Sequence, residues 1–158
     1  ARAAARLRTL GFANVHRYTA GKMDWFASGG ARAGREADRP RAGDATRADV
    51  PTCRLEERCG DVARRVRATG GSDCVVLDDD RVVLGLLDDE ALDAEPTAAA
   101  ADAMRAAPAT IRPHVSLEDT LKSLRSRRRE HVLVTTSDGR LVGLLRRADV
   151  ERRLTPAA

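Results

Sequence analysis

The chain repeats itself, and no other feature of the sequence constrains its fold as strongly. Residues 52–92, "TCRLEERCGDVARRVRATGGSDCVVLDDDRVVLGLLDDEAL", and residues 110–150, "TIRPHVSLEDTLKSLRSRRREHVLVTTSDGRLVGLLRRADV", align without a gap at a constant offset of 58 residues. Thr52 matches Thr110, Arg54 matches Arg112, Asp61 matches Asp119, Arg67 matches Arg125, and "GLL" recurs at 85–87 and 143–145. A fixed period of this kind means that one supersecondary unit is used twice. Cys53, Cys59 and Cys74 stand opposite Ile111, Leu117 and Val132. All three cysteines therefore replace aliphatic core residues, a role that suits the free thiol.

Periodicity assigns the elements of each copy. Leu117, Leu121 and Leu124 fall at i, i+4 and i+7, one stripe of an amphipathic helix whose start Ser116 and Asp119 can cap. "HVLVTTSDGRLVGLL" gives a β-branched strand, a Ser-Asp-Gly turn and a second strand. The apolar spacing of "LLRRADVERRL" predicts a short closing helix. The expectation is an α/β fold of two β-α-β-β-α units, residues 49–95 and 109–158. Neither unit can bury its sheet alone, so the two should pack sheet against sheet as a pseudo-twofold pair. Residues 96–108, "PTAAAADAMRAAP", read as a helical connector. Residues 30–48 hold almost nothing large and apolar and read as a linker without assigned structure.

With 158 residues and 42% hydrophobic content, the chain has enough material for one compact domain and an appendage. Its 28 basic and 24 acidic residues give a net charge of +4. The charges are segregated: the first unit is acidic, while the segments on either side of it are basic. Such a pattern favours association of the units and does not require nucleic acid. Three cysteines without a CxxC pair offer no disulfide framework or metal spacing, so a reducing cytoplasm is expected. His16, His114 and His131 are scattered. "VVLGLL", the longest apolar stretch, is too short to span a bilayer. Residues 1–23 lack acidic side chains as a transit peptide does, but their glycine turns read as folded structure.

The order, spacing and repetition resemble the tandem cystathionine-β-synthase (CBS) domain pair, or Bateman module, over residues 49–154. Each copy opens on a "PxT"-like element, Pro51-Thr52 and Pro108 to Thr110, and each carries D-(G)-R-x-V-G-L-L before its closing helix. The resemblance implies a non-catalytic module that takes an adenine nucleotide (AMP, ADP, ATP or S-adenosylmethionine), needs no cofactor or metal, and associates as a homodimer. In the family, G-x-x-[Ser/Thr]-x-x-Asp supplies a hydroxyl for phosphate and a carboxylate for the ribose diol. The second copy reads "GLLRRAD", with Asp149 as the carboxylate and Arg146 at the hydroxyl position, where a guanidinium fork suits phosphate. Adenine is expected against Thr110, Ile111 and Val132. The first copy reads "GLLDDEA", with Asp88 and Ala91 at these positions, and is expected to hold no nucleotide.

"GKMDWFASGG" at 21–30 holds the only Trp and one of two Phe in a chain that is 3% aromatic. With the residues before it, "AAARLRTLGFANVHRYTAGKMDWFASG" resembles the C-terminal end of a rhodanese-like domain over residues 1–29. The resemblance implies a helix-strand-helix appendage whose Trp25 and Phe26 pin a helix to a sheet. It also implies a catalytic cysteine loop upstream of Ala1. Cys59 and Arg65 share that loop's Cys-x5-Arg spacing, but Cys59 occupies a core helix position.

The sequence thus reads as a regulatory nucleotide-binding module. A ligand-free dimerisation scaffold is the alternative that Arg146 and Ala91 favour, and the tail of a sulfurtransferase is a third. "KSLRSRRR" at 122–129 reads as a solvated helix face, with nucleic acid as the lesser reading.

Overall fold

The computed structural model describes residues 2–28, 30–34 and 37–155. Three short helices precede the repeats: α1 (Arg2–Thr9), α2 (Lys22–Ala27) and α3 (Ala42–Ala45). The first repeat runs β1 (Thr52–Cys53), α4 (Cys59–Ala68), β2 (Cys74–Leu77), β3 (Val83–Leu87) and α5 (Asp89–Ala94). After α6 (Ala100–Ala103) and β4 (Arg105–Ala106), the second runs β5 (Thr110–Ile111), α7 (Leu117–Ser126), β6 (His131–Thr135), β7 (Leu141–Arg146) and α8 (Arg147–Leu154). Both copies have the β-α-β-β-α order that periodicity predicts.

The apolar stripes decide which helix faces turn inward. Helix α4 buries Cys59, Val62, Ala63 and Val66, and α7 buries Leu117, Thr120 and Leu124. Ser116 caps α7 by accepting the Asp119 backbone N–H at 3.1 Å. The first sheet has the order β1-β2-β3-β4 and the second β5-β6-β7, with β1 parallel to β2 and β5 parallel to β6. Helices cover one face of each sheet. The other faces meet through Val75, Leu77 and Leu86 on one side and Leu133, Leu141 and Leu144 on the other. All four residues of β2 are buried because it is covered on both faces. The hairpin turns also exchange hydrogen bonds: Val83 N–H donates to Gly139 O at 3.1 Å and Leu141 N–H to Arg81 O at 3.0 Å. These two bonds are related by the 58-residue offset, so the pair is pseudo-twofold.

Residues 30–48 depart from the expected linker. Segment 38–50 matches segment 96–108 at the same offset, with Ala42, Asp44, Ala45, Arg47 and Ala48 identical to Ala100, Asp102, Ala103, Arg105 and Ala106. Each segment is a leader that packs on the other copy's repeat. Ala42 N–H donates to Val115 O at 2.8 Å, and Leu117 N–H donates to Pro40 O at 3.0 Å. In the first repeat, Ala100 N–H donates to Glu57 O at 2.8 Å and Cys59 N–H to Ala98 O at 2.9 Å. Ala42 and Ala100 are fully buried. Small side chains are needed here because the backbones approach closely: a Cβ on Gly143 would overlap the Arg47 carbonyl oxygen. The paucity of large residues thus reflects tight packing. Segment 96–108, expected as a helical connector, is helical only over α6 and then forms the fourth strand of the first sheet.

The appendage also differs from expectation. No strand forms between α1 and α2 among the described residues, and α1 buries no side chain. An edge strand needs a sheet to extend, and none lies beside residues 12–16. Trp25 is 41% exposed and packs edge-on against Tyr18, with ring centroids 5.3 Å apart. Phe26 packs against the Arg41 guanidinium and lines one hollow with Val142 of β7. Asp24 joins the appendage to the second repeat by accepting from Ser137 Oγ at 2.7 Å while also accepting from Tyr18.

Candidate functional site

The exchange of leaders brings α3 beside the start of α8. Asp44, Ala45 and Arg47 from the first leader then share a basin of about 490 Å³ with Asp149, Arg152 and Arg153. Asp149 sits in the first turn of α8 with its side chain 22% exposed. Arg152 donates to Asp149 Oδ1 at 2.5 Å. Asp149 Oδ2 is buried and has no hydrogen-bond partner. Such an oxygen is costly to leave unpaired. Arg47 reaches only the exposed Asp49, at 3.5 Å, a surface pair of little strength. The basin therefore combines the Asp149 carboxylate with two arginines able to face an anion, Arg47 and Arg153; Arg152 is already paired with Asp149, and Asp44 is a second acid in the lining.

The corresponding place in the first repeat holds an ion pair of its own. Asp88 caps α5 by accepting the Ala91 N–H at 3.0 Å, and its other oxygen pairs with Arg105. Arg105 is the counterpart of Arg47, so this leader's cation is already neutralised. Ala91, at the position of Asp149, offers no acceptor side chain.

The five residues singled out from the sequence do not form one constellation. Thr110, Ile111 and Val132 line a separate hollow of about 360 Å³ with Thr120, Ser123 and Arg127. Arg146 is exposed, and its backbone pairs with His131 at the end of β7. Strand β6 lies between β5 and β7. Two strand spacings, about 9.6 Å, therefore separate the Thr110 edge from the Asp149 side. Sequence reasoning missed the leader residues Asp44 and Arg47, although the 58-residue offset extends upstream through both. It also missed a cleft of about 370 Å³ lined by Arg105, Arg128, Arg129, Glu130 and His131 beside Leu86 and Leu133. The basic run at 122–129 thus ends in a concavity, which Arg128 and Arg129 line.

The thiols are not part of any such site. Cys53, Cys59 and Cys74 are buried in the first repeat's core. The hydrogen bond with Cys53, followed by burial, pushes the Cys74 thiol up, and burial pushes up that of Cys59. No group of three His, Cys, Asp or Glu gathers as a metal site among the described residues.

The sequence model of the CBS domain family matches residues 100–155. Among solved structures, CBSX2 in complex with AMP is 21% identical, with a TM-score of 0.65 over 72% of this chain and 95% of that one. The CBS domains of a transcriptional regulator from Streptococcus pneumoniae are 19% identical, with a TM-score of 0.65 over 71% of this chain and 97% of that one. The cytosolic domain of the Mg2+ channel MgtE in complex with ATP is 22% identical, with a TM-score of 0.67. That match covers 73% of this chain but spans only 49% of the MgtE domain. No curated protein matches the chain. The fold is that of a CBS domain pair. No helix among the described residues is long and apolar enough to cross a membrane.

Proposed function

We propose that the chain is a non-catalytic regulatory module that binds an adenine nucleotide at one site, the basin around Asp149. The observation that carries this reading is the Asp149 carboxylate, 22% exposed in the first turn of α8, in a basin that Arg47, Arg152 and Arg153 also line. A ribose hydroxyl donates to a carboxylate, and phosphate oxygens accept from guanidinium groups. The Asp88–Arg105 pair disfavours a second nucleotide in the first repeat. Two structures of the same fold were solved with AMP and with ATP, which supports the ligand class. Arg146, placed outside the basin, has no assigned contact in this reading, and Thr110, Ile111 and Val132 would meet a ligand only if it extended beyond β6.

Regulation follows if the ligand prefers one arrangement of leader and repeat, because a ligand shifts an equilibrium by its differential affinity alone. Homodimerisation through the pair belongs to the same reading. So does a rhodanese-like origin for residues 1–29, which rests on their motif. A ligand-free scaffold is the competing reading, and the separation of Arg146 from Asp149 favours it.

Thermal unfolding with AMP, ADP, ATP and S-adenosylmethionine, repeated on Asp149→Ala, decides between them. A nucleotide at one hundred times its dissociation constant should stabilise the wild type by about 2.7 kcal/mol, and the shift should vanish in the variant. If no nucleotide moves the midpoint, the scaffold reading replaces the sensor.

A further inference from the structure

A second concavity, of about 360 Å³, lies where the appendage meets the second repeat. Phe26, Arg32, Arg41, Gly43, Pro113 and Val142 are among its lining residues. It is distinct from the Asp149 basin and needs Phe26, Ser28, Gly30 and Arg32, which lie outside the repeats. Two arginines here are held by one acceptor apiece and keep a second donor unused. Arg32 Nη2 donates to Asp44 Oδ1 at 3.2 Å, while its Nη1 is buried without a partner. Arg41 Nη1 donates to His114 O at 2.6 Å, while its Nε is buried without a partner. Buried polar groups are rarely left unsatisfied in a native structure, and each exception calls for an explanation.

The charges point to an anion. Asp44 is the one acid among the residues lining this hollow, and its carboxylate already accepts from Arg32 and from the Arg41 backbone N–H at 2.9 Å. Lys22 and Arg41 both approach the Phe26 ring, at 5.4 and 5.8 Å from its centroid, which holds further positive charge near the hollow. The two guanidinium groups belong to different segments, and both line the hollow. A guanidinium fork suits carboxylate and phosphate alike, but a tetrahedral oxyanion carries more acceptor oxygens and can take donors from two guanidinium groups at once. We propose that this hollow binds a phosphate-type oxyanion, which Arg32 and Arg41 grip together and which fastens the appendage to the second repeat. The proposal does not rest on the nucleotide reading, because no lining residue other than Asp44 is shared with the Asp149 basin.

The chain carries its own reporter. Trp25 is the only tryptophan, its Nε1 donates to Ala31 O at 2.9 Å, and its ring lies against Gly30, which lines the hollow. Its fluorescence would be titrated with inorganic phosphate, and separately with glycerol phosphate, at ionic strength held constant with chloride. The whole chain is used, with circular dichroism to verify the fold of each variant. Both probes should give a saturable change whose half-point rises at least tenfold in Arg32→Gln and in Arg41→Gln and is unaltered in Arg152→Gln. Tighter binding of glycerol phosphate would assign the hollow to a phosphomonoester, and tighter binding of inorganic phosphate to the free ion; either supports the site. The proposal is overturned by the absence of a saturable change, by an unchanged half-point in Arg32→Gln, or by a loss confined to Arg152→Gln. Arg32 has no side-chain hydrogen bond other than those to Asp44, so its variant keeps the test sound even if Arg41→Gln fails to fold.

Discussion

The surroundings of His114 favour its neutral form. Burial, then the charges of Arg41 and Arg112, keeps its imidazole below the ordinary histidine range, and its Nδ1 has no partner. A histidine depressed in the folded state contributes stability above its unfolded pKa of about 6.5, and that contribution is lost as pH falls. Lowering the pH from 7 to 5 should therefore depress the melting temperature of the wild type more than that of His114→Asn, as differential scanning calorimetry would show. Equal slopes would remove His114 as the cause. Asp24, Asp49 and Asp138 are held below the ordinary carboxylate range, chiefly by hydrogen bonds from Tyr18, Arg47 and Thr136 respectively. Their contributions are lost only in more acid solution, outside that window. None of this was legible in the sequence: Arg41 and His114 are 73 residues apart, and no local pattern links them.

At the scale of elements, the two leaders are where sequence and structure diverge most. The α7 stripe was readable because a helix spaces its buried residues in a pattern that needs no partner to be recognised. The leaders bury alanine and backbone against another segment, and a stretch of Gly, Ala, Arg and Asp looks the same whether it is loose or tightly packed. Only the offset of 58 could have disclosed Ala42, Asp44 and Arg47 as counterparts of Ala100, Asp102 and Arg105. The nucleotide motif was legible as far as Asp149, but the basin's other wall comes from a segment read as a linker. This close packing has a measurable result. At Gly143 an added methyl meets the Arg47 backbone, which cannot move without breaking the paired bonds between Arg47 and Leu144, both 2.9 Å. At Gly85 the first obstacle is the Met104 side chain, which is flexible. Gly143→Ala should therefore cost about 1–3 kcal/mol and Gly85→Ala less, as read from urea unfolding. The reverse order would mean that the leader backbone yields more readily than the Met104 side chain.

Taken as a whole molecule, the pair should unfold in one step, because each repeat holds the other's leader. All three thiols lie in the first repeat, and Trp25 sits on the appendage that Asp24 ties to the second. Val62 is fully buried in the first repeat's core, so Val62→Ala should cost about 2 kcal/mol and shift both reporters together. Thiol labelling and Trp25 fluorescence, followed through urea unfolding, should keep coincident midpoints. Separate midpoints would show that the repeats melt independently. The doubled architecture was plain from "GLL" at 85–87 and 143–145, whereas the exchange was not, since similarity between two segments does not say which partner each one chooses.

The exchange of leaders makes the molecule a dimer written on one strand. Two separate copies of a single 58-residue unit could satisfy the same contacts, each lending its leader to the other. As free units, their assembly would weaken on dilution. The chain between them replaces that dependence with a fixed effective concentration, so the basin around Asp149, walled by one unit's leader and the other's closing helix, persists at any dilution.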